Sequence, residues 1–420
     1  MIKKPRGTRD FTSEEMQKRA YVEGRIRQTF MNFGYREIET PTFENLELFT
    51  AKSGDTIIEE LYSFKDKSDR KLALRPELTA PVIRFYVEKL QMKPKPLKLF
   101  YFGNCYRYDR PQKGRYREFK QAGCEIIGVD TPEAYAELIA LAYKILEEVG
   151  LKNIKLSIGN LSILSKFYEK LKITKDKQKY LNPLIDKNLF NDLKSALRDF
   201  NISEQEVKNF LELLQTSDIK KIYAYLKGDG ELKEELDKLQ KIMNLLKNSF
   251  DIKNFDLKMS IVRGLDYYTG IVFEIEAPVL GAEKQLCGGG AYELIGLLGG
   301  TDTSTAGFAI GFDRAILALE SEGYNFPVEK LDGYVVPVNA NMLVDSLKIA
   351  QMLREKNVKI DVDLMRRGIG NSLKYASSIR ASKAIIIGPK EIEKNSVTVR
   401  DMKTGKQKIV KIKDIDKEFA

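Results

Sequence analysis

The chain has 420 residues, a formal charge of +10 and no histidine. The missing imidazole excludes a Ser-His-Asp triad, a Cys-His pair, a His-containing metal site and a protein imidazole relay, so catalysis must use carboxylates, Arg, Lys, Tyr, backbone groups or a bound cation. Three cysteines, Cys105, Cys124 and Cys287, are too few and too scattered for a disulfide framework or a thiolate metal site. No stretch reaches the length of a bilayer span, and MIKKPRGTRDF at the start has no apolar segment behind its lysines. A cytoplasmic protein of two or three domains, without a membrane and without a resident metal, is the expectation. The basic excess fits a polyanionic partner such as nucleic acid, and it fits plain solubility as well.

Residues 13–33 mix apolar and charged positions at helical spacing up to Gly34, and YREIETP then reads as a strand ending at Pro41. Short strands are expected at 57–64 and 71–75, followed by a helix over PELTAPVIRFYVEKL, begun by prolines and acids. LKLFYFGNCYRY and YREFKQAGCEIIG are two strands flanking a basic turn. A helix starts near Thr131–Pro132 and places Ala134, Leu138, Leu141, Ile145 and Val149 on one core face. Residues 161–250 are rich in Lys and Leu with few strand signals, which predicts a helical insertion. Strand signals return over 255–277, continue through LCGGGAYELIGLLGG, and lead through TAGFAIGFDRAILALE into a helix. After a boundary near GYNFPVEK, alternating strand and helix patterns over 331–389 predict a small α/β domain.

Four segments carry chemistry. In YRYDRPQKGRYREFKQAGCE, strand alternation puts Arg117, Phe119, Gln121, Gly123 and Glu125 on one face, so Gln121 and Glu125 can line one pocket. Arg107 stands just before the turn, where a forked guanidinium can stabilise charge on a phosphoryl group, and Gln112 in the turn can read a base edge. A solvated hairpin with a charged tip is the plain alternative. In LRPELTAP, Glu77 can hold an ammonium with Thr79 beside it, or can serve the start of a helix. In VRGLDYYTG, Arg263 precedes a glycine, and Tyr267 and Tyr268 point to opposite faces if extended. CGGGAYE combines three glycines with Tyr292, fitting either close approach of a ligand or a simple bulge. In GFAIGFDR, Asp313 can cap the helix, and Arg314 sits in a first turn where a cation is unfavourable unless a phosphate, a stacked base or an ion-pair partner answers it.

Together these segments resemble the signature regions of the histidyl-tRNA synthetase family of class II aminoacyl-tRNA synthetases, over nearly all 420 residues. PRGTRDF is similar to the family's opening, residues up to Pro41 to its first class motif, the basic turn to the second and GFAIGFDR to the third. RGLDYYTG resembles the family's histidine signature, and LMRRGIGNSLKYASSIRASKAIIIG its anticodon-binding domain. The resemblance implies an α+β fold: an antiparallel sheet flanked by helices in two parts (1–160 and 251–325), the insertion at 161–250 and an α/β anticodon-binding domain at 331–420. It implies a homodimer that uses ATP and Mg²⁺ to make histidyl-adenylate from L-histidine, then charges tRNA(His). Arg107, Arg263 and Arg314 would be catalytic, with Arg107 and Arg314 on ATP. Glu77 and Thr79 would bind the ammonium, Glu125, Tyr268 and Tyr292 would surround the imidazole, Gln121 would face the amino acid, and Tyr267 would be a further substrate-binding residue. Arg110 and Gln112 would meet the acceptor end of the tRNA, and Arg366 and Arg367, with Lys374 and Arg380, are candidate RNA contacts.

Two features depart from the family pattern: Ala291 and Glu293 stand where it has Arg and Asp around Tyr292, and Tyr108 and Lys120 stand where it often has His. A chain free of histidine can be translated while charged histidyl-tRNA is scarce, a property that suits such an enzyme. Two rivals remain: a synthetase-like regulatory subunit of the ATP phosphoribosyltransferase of histidine biosynthesis, and a nonenzymatic RNA-binding module. The first erodes the arginines and lacks the C-terminal domain, and the second has no use for Glu77, Glu125 and Tyr268 together.

Overall fold

The computed structural model describes residues 2–53, 55–225, 230–262, 268–327 and 329–419. They form two compact units, residues 1–326 and 327–420. The larger is built on an eight-stranded sheet of β1 (Arg36–Glu37), β5 (Leu97–Tyr106), β6 (Glu118–Ile127), β7 (Lys155–Asn160), β8 (Phe255–Leu257), β9 (Tyr268–Glu276), β10 (Gln285–Tyr292) and β11 (Thr305–Gly311). Its spatial order is β1-β5-β6-β11-β10-β9-β7-β8. Only the two outer pairs, β1 with β5 and β7 with β8, are parallel. A small antiparallel sheet of β2 (Phe43–Asn45), β3 (Ser63–Lys65) and β4 (Lys71–Leu74) stands beside it in the chain.

Period-two alternation gives the large sheet two faces. On one, Phe100, Cys124, Ile126, Phe273, Phe308 and Ile310 join a core with Val22, Ile26 and Phe30 of α1 (Ser13–Asn32). Phe30 stacks 4.8 Å from Phe100 and 5.9 Å from Phe308, and each such pair adds about 0.5–1.5 kcal/mol beyond area burial. The helix at Pro132–Glu148 closes the same face with Leu138, Leu141 and Ile145; Thr131 caps it, its hydroxyl accepting from the Ala134 N–H at 3.3 Å. On the opposite face Leu78, Ala80, Val82, Ile83 and Tyr86 pack on Leu99, Tyr101 and Cys105.

Between Leu161 and Asn248 the described elements are all helices, and Leu181, Leu193, Phe210, Leu236 and Leu239 are buried in the same core. No described helix is long and apolar enough to cross a membrane. The C-terminal unit carries a sheet in the order β13-β12-β14-β15-β16, from β12 (Gly333–Pro337), β13 (Ile360–Val362), β14 (Lys383–Ile387), β15 (Ser396–Asp401) and β16 (Gln407–Lys411).

Several expected elements differ. Over 57–64 the backbone makes a 3-10 turn, Asp55–Glu60, before the short β3. The strand expected over YREIETP pairs only at Arg36 and Glu37, because buried Arg75 takes the carbonyls of Thr40 (2.7 Å) and Pro41 (3.1 Å). The helix expected from Pro76 begins at Thr79, and its last turn, Tyr86–Leu90, is a wider π turn. The antiparallel pair β15–β16 had no counterpart in the sequence reading.

Candidate active site

The face of the sheet that bears Glu125 has a floor made of glycine. Glu125 pairs in register with Gly307, which pairs with Gly290, and Gly123 lies two residues before Glu125 on β6. A Cβ on Gly307 would collide with the Glu125 carboxylate and stand 2.5 Å from the Cys124 carbonyl. One on Gly123 would stand 2.6 Å from the Phe308 carbonyl and 2.7 Å from the Tyr101 side chain. Glycine here is therefore a requirement for placing Glu125 and Tyr101.

Glu125 is 1% exposed. Its Oε1 accepts from the Tyr101 hydroxyl at 2.8 Å and its Oε2 from the Tyr292 hydroxyl at 2.7 Å. Burial pushes its carboxyl up to about 8, against the pull of Tyr292, Tyr101 and Thr79. Tyr268 meets Tyr292 edge to face, with ring centres 6.3 Å apart. Glu125, Tyr268, Tyr292 and Thr79 thus converge, and Tyr101 joins them.

Glu77 serves the helix start. Its two oxygens accept the N–H groups of Thr79 (2.5 Å) and Ala80 (2.9 Å). Burial raises its carboxyl, while those N–H groups and the Arg107 charge pull it down. The carboxylate keeps lone pairs beyond these two bonds, so capping and ligand binding are compatible. Arg107 donates through Nε to the Pro76 carbonyl at 2.9 Å and lies over the Phe119 ring at 5.3 Å. Gln121 is half-buried on the Glu125 face, and its Oε1 accepts from the Cys105 thiol at 3.2 Å. Burial pushes that thiol up to about 12, so it stays an S–H donor.

The basic turn folds back on itself: Gln112 bridges Arg115, and Arg115 makes a two-bond pair with Asp109, each bond 3.0 Å. Arg110 is exposed. Arg314 donates to the Gly114 and Gln285 carbonyls, at 2.9 and 3.1 Å, and to the Glu283 carboxylate, so an ion-pair partner does answer it. Asp313 does not cap its helix. The helix runs Phe312–Ser321 with Gly311 at its N-cap, so Asp313 already lies in the first turn; it is 3% exposed and accepts from Arg9 (2.8 Å), Arg19 (2.6 Å) and the Lys120 N–H (2.8 Å). Ala291 is buried in the apolar core and Glu293 is exposed, with a register shift between Gly290 and Tyr292.

Arg263 and Tyr267 lie outside the described residues. In the C-terminal unit, Arg366 is exposed, while Arg367 pairs with buried Asp363 at 3.0 Å and lies 4.2 Å over the Tyr375 ring. Sequence reasoning missed Tyr101, Gly307 and Glu283. Tyr101 alternates in step with Glu125's face, a signal present in LKLFYFG; Glu283 has no local signal.

A largely antiparallel sheet that carries Glu125, Tyr101, Tyr268 and Tyr292 together, in one chain with a separate α/β unit, fits a class II aminoacyl-tRNA synthetase. Residues 7–315 match the family model for histidyl-tRNA synthetase and residues 332–420 that for an anticodon binding domain. A histidine–tRNA ligase of Archaeoglobus fulgidus is 44% identical, covering 97% of each chain, and one of Methanocaldococcus jannaschii is 41% identical, covering 99% of each. The crystal structure of apo S. aureus histidyl-tRNA synthetase superposes with a TM-score of 0.77 at 32% identity over 100% of both chains. The chain belongs to the histidyl-tRNA synthetase family.

Proposed function

We propose that this chain is an ATP-dependent histidine–tRNA ligase, which joins L-histidine to the α-phosphate of ATP with release of pyrophosphate and then passes histidine to the 3′-terminal ribose of tRNA(His). The carrying observation is Glu125, buried and fixed by one tyrosine hydroxyl on each oxygen over a glycine floor. Imidazole offers one donor and one acceptor when neutral. A ring N–H donates to Glu125 and the Tyr268 hydroxyl serves the other nitrogen, with Tyr292 completing the wall. An amino acid lacking those groups leaves buried polar atoms unpaired, a discrimination on the order of 10⁴ or more.

In this reading Glu77 and Thr79 take the substrate ammonium and Gln121 orients the amino acid. Arg107 and Arg263 hold the α-phosphate, and Arg314 takes the nucleotide. The first step needs positioning and charge stabilisation more than proton transfer, so the lack of protein histidine costs nothing. Mg²⁺ enters with the triphosphate. Among the described residues no cluster of acidic or thiol side chains is assembled to hold a metal, so phosphate oxygens and water would supply most of its ligands. Arg110 and Gln112 approach the acceptor end, and Arg366 and Arg367 the anticodon. The parts 1–160 and 251–325 form the catalytic core, 161–250 the insertion and 331–420 the anticodon-binding domain. A homodimer in the cytoplasm completes the reading.

The test is charging of total tRNA with each labelled amino acid in the presence of ATP and Mg²⁺. Histidine-specific charging is expected. Histidine binding without charging would move the reading to the regulatory subunit, and charging with another amino acid would remove the imidazole pocket.

A further inference from the structure

Glu283 ends the 3-10 segment Pro278–Glu283 between β9 and β10, and its carboxylate is divided between two partners. Oε2 accepts from Arg314 Nη2, and Oε1 accepts from Gln112 Nε2 at 2.6 Å. The Glu283 side chain is 20% exposed and that of Arg314 24%. One acid therefore holds both the cation assigned above to the nucleotide and the turn glutamine assigned above to the tRNA.

The surroundings explain why an acid is needed. Arg107 and Arg115 lie near enough to Arg314 to make its own charge less favourable, on top of its burial. Arg115 is answered by Asp109, and Glu283 is the one carboxylate bonded to Arg314 among the described residues. Three guanidinium groups converging without a counter-anion would repel one another through a partly desolvated region. A triphosphate brought to Arg314 supplies the negative charge that Glu283 supplies without it.

We propose that Glu283 is an intramolecular stand-in for the nucleotide's phosphates: a triphosphate displaces it from Arg314, and its departure releases Gln112, so that the turn at 107–117 becomes free to take the tRNA acceptor end. This rests on the assignment of Arg314 to ATP made above. It adds a coupling between the two substrates that neither site has alone. A carboxylate tethered in the same chain competes with the nucleotide, and the apparent affinity for ATP is reduced by the fraction of molecules in which the pair is open.

Glu283→Gln keeps the shape and removes the charge. In histidine-dependent ATP–pyrophosphate exchange, the KM for ATP should fall by about 3- to 10-fold with kcat unchanged. The affinity of labelled tRNA(His) for the nucleotide-free enzyme, read by fluorescence anisotropy, should rise to the value seen for the parent enzyme with a non-hydrolysable ATP analogue. Glu283→Ala should do the same. Gln112→Ala should abolish the effect of nucleotide on tRNA affinity. A KM for ATP that rises or stays level in both Glu283 variants, with histidine-dependent exchange intact, overturns the proposal and makes Glu283 a support for Arg314. No exchange in the parent enzyme overturns the functional reading itself, so the two failures are distinguishable.

Discussion

Toward α1 the central sheet presents Phe100, Cys124, Ile126, Phe308 and Ile310; toward the pocket the same strands present Tyr101, Gly123, Glu125 and Gly307. One face is filled with interlocking side chains, and the other is cut back to backbone and a few hydrogen-bonding groups. Adjacent residues share one ladder of backbone bonds and still do opposite work, since alternation sends them apart. A core face is specified by volume. A site face is specified by what is left out, and Gly307 exists to leave room for a carboxylate.

The sharpest way to break this comparison is to mutate both neighbours on β11. Gly307→Ala drives a methyl into Glu125 and the Cys124 carbonyl. Histidine-dependent exchange should fall at least about 100-fold in kcat/KM, as expected when a polar recognition site is misassembled. Phe308→Ala should cost about 3–5 kcal/mol of stability, measured by denaturant unfolding, because its ring fills space against Phe30 and Phe273. The KM for histidine of the folded Phe308 variant should stay near that of the parent. If Phe308→Ala moves the KM as far as Gly307→Ala moves kcat/KM, the two faces are not separable.

A second test uses pH. Glu125 titrates near 8 in the fold and near its ordinary value of 4.5 when unfolded. Between these values the folded state holds a proton that the unfolded state has lost. Its contribution to stability is therefore complete below about pH 4.5, falls as pH rises by at most ~1.4 kcal/mol per unit, and is gone above about 8. Glu125→Gln carries no such proton, so thermal unfolding without histidine should show the variant gaining on the parent from pH 5 to pH 8. A constant gap would mean that the carboxylate is already ionised and answered by charge. A core-face substitution such as Cys124→Ala should leave the parent's slope unchanged.

Much of this was legible from residue order alone. Strand alternation put Gln121 and Glu125 on one face, and the apolar spacing after Thr131 gave a helix with its buried side. What failed to show depended on partners distant in sequence. Asp313 looked like a cap, but the helix starts one residue before it, and its partners Arg9 and Arg19, some 300 residues away, are invisible to a local reading. Glu283 stands 31 residues from Arg314 and 171 from Gln112. β16 went unread because it is mostly exposed and carries no apolar alternation. The apolar pair Ile57–Ile58 fits a strand or a turn of helix equally well.

Tyr101 offers the smallest and most selective test. It is buried beside Phe100, points to the other face, and supplies one of the two tyrosine hydroxyls on Glu125. Tyr101→Phe keeps the ring that packs with Leu78 and Ile83 and removes only the donor. That hydroxyl favours the ionised carboxyl, so its loss should move Glu125 further above about 8. A lost hydrogen bond to a group that carries charge in the complex is worth about 1–2 kcal/mol, so the KM for histidine should rise roughly five- to thirtyfold. The KM for ATP should stay level, and so should the unfolding midpoint at pH 5, where Glu125 is protonated and its two oxygens need less from their donors. A rise in both KM values would mean that the ring, and not the hydroxyl, shapes this side of the pocket.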